Sequence, residues 1–250
     1  MIEFFLYLVI FIFGLIIGSF LNCVIYRLEV EESPFKGKSY CPKCRQILKW
    51  YDLIPVLSFI ILRSRCRYCK QKISWQYPWL EISTGIIFVL IFNPQNFLFS
   101  IFYFLIFSFL IIIFVYDLKH YIIPDKIIYP AIIIAGIFNF QLFSILSAIL
   151  AALFFGLLVL ITQGKGMGIG DIKLAFLMGL ILGWPNILIA LFLAFFLGAI
   201  IGIGLIVLNK KTLKSEVPFA PFLIISIFVA LFWGEKIINW YWYFISFLLK

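Results

Sequence analysis

The sequence reads as an all-α integral membrane protein. About eight transmembrane helices carry a cytoplasmic, zinc-ribbon-like four-cysteine insert between helices 1 and 2. Three observations predict this. Apolar residues make up 65% of the 250 positions, with 31 Phe and only 12% charged residues. A soluble core of this size does not need that much apolar surface. Runs close to the roughly 20 residues needed to cross a bilayer recur along the chain. The positive charges fall on alternate sides of those runs.

Taken in order, the predicted helices cover 4–25, 77–92, 97–116, 127–140, 142–162, 172–184, 186–208 and 219–233. None shows the period-two alternation of a barrel strand. The first is too long for a removable signal peptide and lacks a small-residue cleavage site, so it reads as a permanent helix. The tail 237–249, IINWYWYFISFLL, is apolar but short. It fits an interfacial helix, a continuation of the eighth helix, or a truncated ninth. Three stretches follow: 1–26 as the first transmembrane helix, 27–76 as the insert, and 77–250 as the remaining helix bundle.

Charge sets the orientation. Eleven of the 20 Lys and Arg lie between Arg27 and Lys72. Lys119 and Lys126, then Lys165 and Lys173, then Lys210, Lys211 and Lys214 follow at intervals of two crossings. Eighteen of the 20 therefore share one face, which the positive-inside rule makes cytoplasmic. The net charge of +9 is a topology signal with an attraction to anionic lipid, not a mark of nucleic-acid binding.

The insert holds Cys41-Pro42-Lys43-Cys44 and, after 21 intervening residues, Cys66-Arg67-Tyr68-Cys69. Two C-x2-C knuckles in one polar segment are the spacing of a tetrahedral four-cysteine site. Lys43, Arg45, Arg65 and Arg67 favour the thiolate form. Two disulfides or a redox pair are the competing readings, and a cytoplasmic location disfavours stable disulfides. Iron satisfies the same ligands as zinc. A segment of about 50 residues has too little core to be secure alone, so a structural metal fits its size. Cys23, inside an apolar helix, reads as a small buried residue.

Acids at helix borders are few. Asp117 closes the third helix and Asp171 opens the sixth. Two crossings separate them, so both emerge on the cytoplasmic face. Ionisable groups at membrane depth usually face the bundle interior and mark function. Two carboxylates brought together share a proton, which is the equipment of an aspartic protease. An acid at a helix C-terminus is disfavoured by the macrodipole, so Asp117 needs a reason to be there. Asp171 has a bland alternative, capping its own helix. Gly166, Gly168 and Gly170 precede it, and the expectation is that they adopt positive φ and let a peptide approach. Asp125 follows Pro124 and reads as a helix start. His120 reads as a solvated loop residue. Lys119 and Lys173 are candidate counter-ions or lipid-facing cations, and Glu81 has no evident partner.

These residues resemble a known pattern. GSFLNCVIYRL (18–28), CPKC, WYDLIPVLSF (50–59), RCRYC, ISWQYPWLE (73–81), DLKHYIIPD (117–125), GMGIGDIKL (166–174) and VPFAPFL (217–223) are similar, in order, to the bacterial type IV prepilin peptidases. Ser64 stands where many of those relatives have glycine. The resemblance covers almost the whole chain. It implies an intramembrane aspartic peptidase of the GxGD type in the cytoplasmic (inner) membrane, with Asp117 and Asp171 as the catalytic pair. It implies prepilins or pseudopilins of pilus, type II secretion or DNA-uptake systems as substrates, cleaved after a glycine that follows a basic leader. Methylation of the new N-terminus by S-adenosylmethionine is implied too, with no residue assigned to that cofactor. A peptidase-only relative, a proton-coupled transporter and a scaffold displaying a metal module are the alternatives. The two border acids and the lack of an internal repeat argue against the last two.

Overall fold

The computed structural model describes residues 2–34, 37–164, 166–208 and 217–248. Lys36, Lys165, Lys210, Lys211 and Lys214, counted in the charge argument, lie outside the described residues, as does residue 249 of the tail. Nine α-helices appear among the described residues, with no extended strand: α1 (Ile2–Glu29), α2 (Leu57–Ile61), α3 (Gln76–Ile91), α4 (Phe97–His120), α5 (Asp125–Phe138), α6 (Leu142–Ile161), α7 (Ile169–Leu182), α8 (Asn186–Val207) and α9 (Ala220–Leu248). Five are long and apolar enough to cross a membrane: α1, α4, α6, α8 and α9. At 1.5 Å per residue, the 14 residues of α5 and of α7 extend only about 21 Å, short of the roughly 30 Å hydrocarbon layer. Each of the eight expected apolar segments is helical. The tail is a continuation: α9 runs unbroken to Leu248. Gly234 does not break it. It lets α9 close on α8, where an added Cβ would sit 2.5 Å from Asn186 Oδ1.

The chain forms two compact units, Met1–Ile112 and Ile113–Lys250. In the first, α1 and α3 pack antiparallel through small residues. A Cβ at Gly14 would lie 2.7 Å from Gly85 Cα, and one at Gly18 would lie 2.7 Å from Glu81 Cα. Such close backbones are how apolar helices gain dispersion contact without a hydrophobic driving force. Phe88 stacks on Phe104, joining α3 to α4. The polar insert hangs from the C-terminus of α1 and returns at α3. Buried Arg27 holds its entry by donating to the carbonyls of Pro34, Gly37 and Lys38 at 2.9, 3.1 and 3.2 Å. Buried Glu81 holds its middle, since its Oε2 accepts the Val56 N–H at 2.7 Å. Val56 has φ 59° and ψ −48°. That is a tight γ-like turn which a β-branched residue enters at a cost, and Glu81 helps fix it.

In the second unit α7 is the hub, with Leu174, Ala175, Leu177, Met178, Gly179, Leu180 and Ile181 all buried. Its closest partner is α6. A Cβ on Gly179 would overlap the Cα and N atoms of Ala148. Neither is a flexible side-chain end, so the helices themselves must part. Gly179→Val is therefore expected to destabilise the unit by about 3 kcal/mol or more, read as a lowered thermal midpoint of the detergent-solubilised protein. An unchanged midpoint would show that α6 and α7 are not packed this closely.

Candidate functional site

Asp117 lies within the last turn of α4, not beyond it, and Asp171 is the third residue of α7. They are 5% and 9% exposed, both belong to the second unit, and each lies within electrostatic reach of the other. Two acids that are 54 positions apart in sequence are thus both buried in one compact unit.

Each acid is held by backbone. Asp171 Oδ2 accepts the Gly168 N–H at 3.0 Å. This is half of a capping box: the acid reaches back to the first orphan donor, and glycine has no side chain to reciprocate. The bland reading of Asp171 is thus partly correct, though the acid sits three residues inside the cap. Asp117 takes a hydrogen bond from the N–H of Ala220, the first residue of α9. A helix N-terminus carries partial positive charge. It supplies what the C-terminus of α4 denies, and so explains an acid in an unfavourable place. Asp117 Oδ2 itself is buried and has no hydrogen-bond partner among the described residues. Sequence reasoning missed Ala220. The available signal was Pro218 and Pro221, which flank it and mark a helix start.

The glycines correct one expectation. None of Gly166, Gly168 and Gly170 has positive φ; Gly164, just before them, does. Gly168 is the extended N-cap at φ −84°, and Gly170 is already helical because α7 starts at Ile169. What glycine provides at 170 is proximity. An added Cβ would lie 3.0 Å from Ile123 Cβ, in the segment that leads away from Asp117. At Gly168 a Cβ would lie 3.7 Å from Asp171 Oδ2, an ordinary contact.

The other candidates are accounted for separately. Asp125 opens α5 and pairs with Lys173 at 2.6 Å. Lys173 also lies over the Tyr129 ring. This cation is thus committed to Asp125. The His120 ring packs against Tyr116. Glu81 serves the first unit, as described above. Cys23 is half-buried, with the Ser39 hydroxyl 3.9 Å from its sulfur.

The four remaining cysteines converge. The Sγ atoms of Cys41, Cys44, Cys66 and Cys69 all lie within 4.8 Å of one another, with Cys41 and Cys69 3.9 Å apart. Thiolates at about 2.3 Å from a tetrahedral metal stand about 3.8 Å apart, so the set fits such an ion. The two knuckles are built alike. Cys41 N–H donates to Gln46 O and Cys66 N–H to Gln71 O, at 3.0 and 2.8 Å. Arg45 and Lys70 take positive φ just after each knuckle, and an antiparallel bridge closes each turn, Tyr40 to Ile47 and Arg65 to Lys72. Burial works against ionising Cys66. The N–H groups of Cys69 and Tyr68 and the neighbouring Cys41 and Cys69 sulfurs outweigh it and bring this thiol down to about 7.

The Bacterial Peptidase A24 N-terminal domain matches residues 12–94, and the Type IV leader peptidase family matches residues 104–203. A prepilin leader peptidase/N-methyltransferase of Legionella pneumophila is 33% identical, covering 95% of this chain and 94% of that protein. The chain belongs to the Type IV leader peptidase family. Proteins of the same printed name from Aeromonas hydrophila and Bacillus subtilis (strain 168) are each 32% identical; each alignment covers 93% of this chain and 92% and 96% of the relative. No solved structure matches. The cysteines fall in the first family segment and both acids in the second, as they fall in the two compact units.

In this leader peptidase family member, Ser64 lies just before the second knuckle, and the structure gives that position a physical meaning. Ser64 has φ 60°. Its N–H donates to Phe59 O and its carbonyl accepts from Ile73, at 2.9 and 2.8 Å, so the turn cannot relax. A left-handed conformation costs a residue with a Cβ about 1 kcal/mol. Ser64→Gly is therefore expected to stabilise the insert by about that amount. Denaturant-induced release of bound metal is the measurement. A shift in the destabilising direction would contradict this turn.

Proposed function

We propose that this protein cleaves the leaders of type IV prepilins or pseudopilins at the cytoplasmic border of the inner membrane. Asp117 and Asp171 are the catalytic pair. The observation that carries this reading is two buried acids, remote in sequence, within charge range of each other in one compact unit. One carboxyl is ionised and takes a proton from water. The other is protonated and donates to the scissile carbonyl oxygen as water attacks. The tetrahedral intermediate collapses, the C–N bond breaks, and the amine leaves with a proton returned by the pair. The orphaned Asp117 Oδ2 is where the shared proton or the attacking water belongs. The extended Gly168, at the mouth of α7, is the natural place for a substrate strand to approach, because glycine leaves its peptide groups uncovered.

Eight apolar helical segments crossing the bilayer place both acids and the insert on the cytoplasmic face, by the charge argument above. Cys41, Cys44, Cys66 and Cys69 hold a structural zinc ion, which ties the ends of the insert together. N-methylation of the new N-terminus is taken from the relatives' printed names. S-adenosylmethionine supplies an electrophilic methyl group for that reaction, and no residue of this chain is assigned to it.

The deciding experiment incubates the purified protein with a candidate prepilin, with and without S-adenosylmethionine. Mass spectrometry of the product reads both activities. The expected result is a new N-terminus beginning one residue after the leader glycine, heavier by one methyl when the donor is present. An intact prepilin across a panel of substrates would end the reading.

A further inference from the structure

We propose that α2 and the cationic loop after it dock the insert onto the bilayer surface and hold an anionic phospholipid headgroup. The helix presents its wrong side to water. Phe59 turns inward and packs on Trp75, with ring centroids 5.0 Å apart. Leu57, Ile60 and Ile61, at the i, i+3, i+4 spacing of a single helical stripe, are 56%, 63% and 72% exposed. Polar residues belong there if the insert stands clear in water.

The depth of α2 supports lipid as the occupant. Its preceding residue Val56 is bonded to Glu81, which also contacts the Ser19 hydroxyl. Ser19 lies about 15 Å back from the end of α1 at 1.5 Å per residue, within an apolar span. Exposed Trp75 and Trp79 ring the start of α3, where aromatic residues mark the headgroup level. So α2 is pinned at the edge of the hydrocarbon, the depth of an interfacial helix.

Charge specifies the lipid. Directly after α2, a hollow of about 410 Å³ is lined by Leu62, Arg63, Arg65, Cys66, Arg67 and Lys70. Arg67 is paired with Asp52 at 2.7 Å. Arg63, Arg65 and Lys70 remain to meet a phosphate. A basic leader peptide would be repelled by the same charges.

The test uses the whole protein in nanodiscs of phosphatidylcholine and phosphatidylglycerol carrying a photoactivatable acyl chain. Labelling of the tryptic peptide Trp50–Arg63 is expected, and Leu57→Ser/Ile60→Ser/Ile61→Ser should abolish it. Label on α1 and α4 but none on 50–63 in the unaltered protein would overturn the proposal, whatever the variants do. Retained phosphatidylglycerol after detergent extraction is the second arm. Arg63→Gln/Arg65→Gln/Lys70→Gln should lower its affinity roughly fivefold per charge removed. Displacement by inorganic phosphate alone would identify a free-anion site instead, and displacement by a prepilin peptide would identify a substrate surface. Either result would overturn a lipid assignment.

Discussion

Asp117→Asn and Asp171→Asn are each expected to lower prepilin cleavage at least about 10³-fold, because a positioned acid–base group contributes on that order and neither acid can replace the other. The amide is the discriminating substitution. It keeps the size of the side chain and can still accept the N–H of Gly168 or of Ala220, so the helix ends survive. What it cannot do is exchange a proton with water or with its partner acid. Unchanged membrane insertion and melting with lost cleavage is the expected pattern, measured on the same preparation. Asp125→Asn is the internal control. That acid is mostly exposed and paired with Lys173, and an exposed pair contributes little. Its loss should leave cleavage within about threefold. If Asp171→Asn cleaved at the unaltered rate, the residue would drop out of the mechanism.

Removing the proposed zinc ion is expected to have the other large effect. Cys66→Ser is expected to eliminate bound zinc and unfold the insert, since structural zinc supplies on the order of 10 kcal/mol to a small domain. The described insert has two isolated bridges, one short α-helix, one 3-10 turn at Trp50–Asp52 and few buried side chains to stand in for that energy. Metal analysis should fall from one equivalent to none, and limited proteolysis should open between Gly37 and Ile73. Acid should release the ion too, because protons compete for the same four sulfurs. Hydrogen exchange of α6 and α7, whose packing is internal to the second unit, should not change. A metal-free protein whose insert resists protease as well as before would show the cysteine cluster to be no structural site.

Much of this was legible in the chain because membrane helices advertise themselves. Apolar runs located all eight apolar helices, five of them long enough to cross a membrane. The knuckle spacing announced the sulfur cluster. The partners were not legible. Nothing in the vicinity of Asp117 names Ala220, nothing near Glu81 names Val56, and nothing near Asp125 names Lys173. Each is a contact between elements distant in sequence, and such contacts leave no periodicity. The tail was ambiguous because Gly234 and Glu235 look like a stop, while the close approach to Asn186 makes glycine serve a continuous helix. The glycines before Asp171 misled for a related reason. Glycine permits both unusual torsions and tight packing, and the sequence does not say which is used.

That ambiguity, resolved at Gly170, has a consequence for how the acids are gauged. Ile123 follows Asp117 by six residues, and Gly170 immediately precedes Asp171. Where the two touch, a missing methyl works as a calliper: any bulk placed there wedges the jaws apart. Gly170→Ala should widen the gap by tenths of an ångström and slow cleavage, with Gly170→Val slower again, while Gly168→Ala, which meets only ordinary contact, should lie nearer the unaltered rate. A graded series at one glycine and a shallow one at its neighbour would measure, in turnover, how finely the distance between two acids is set by an atom that is not there.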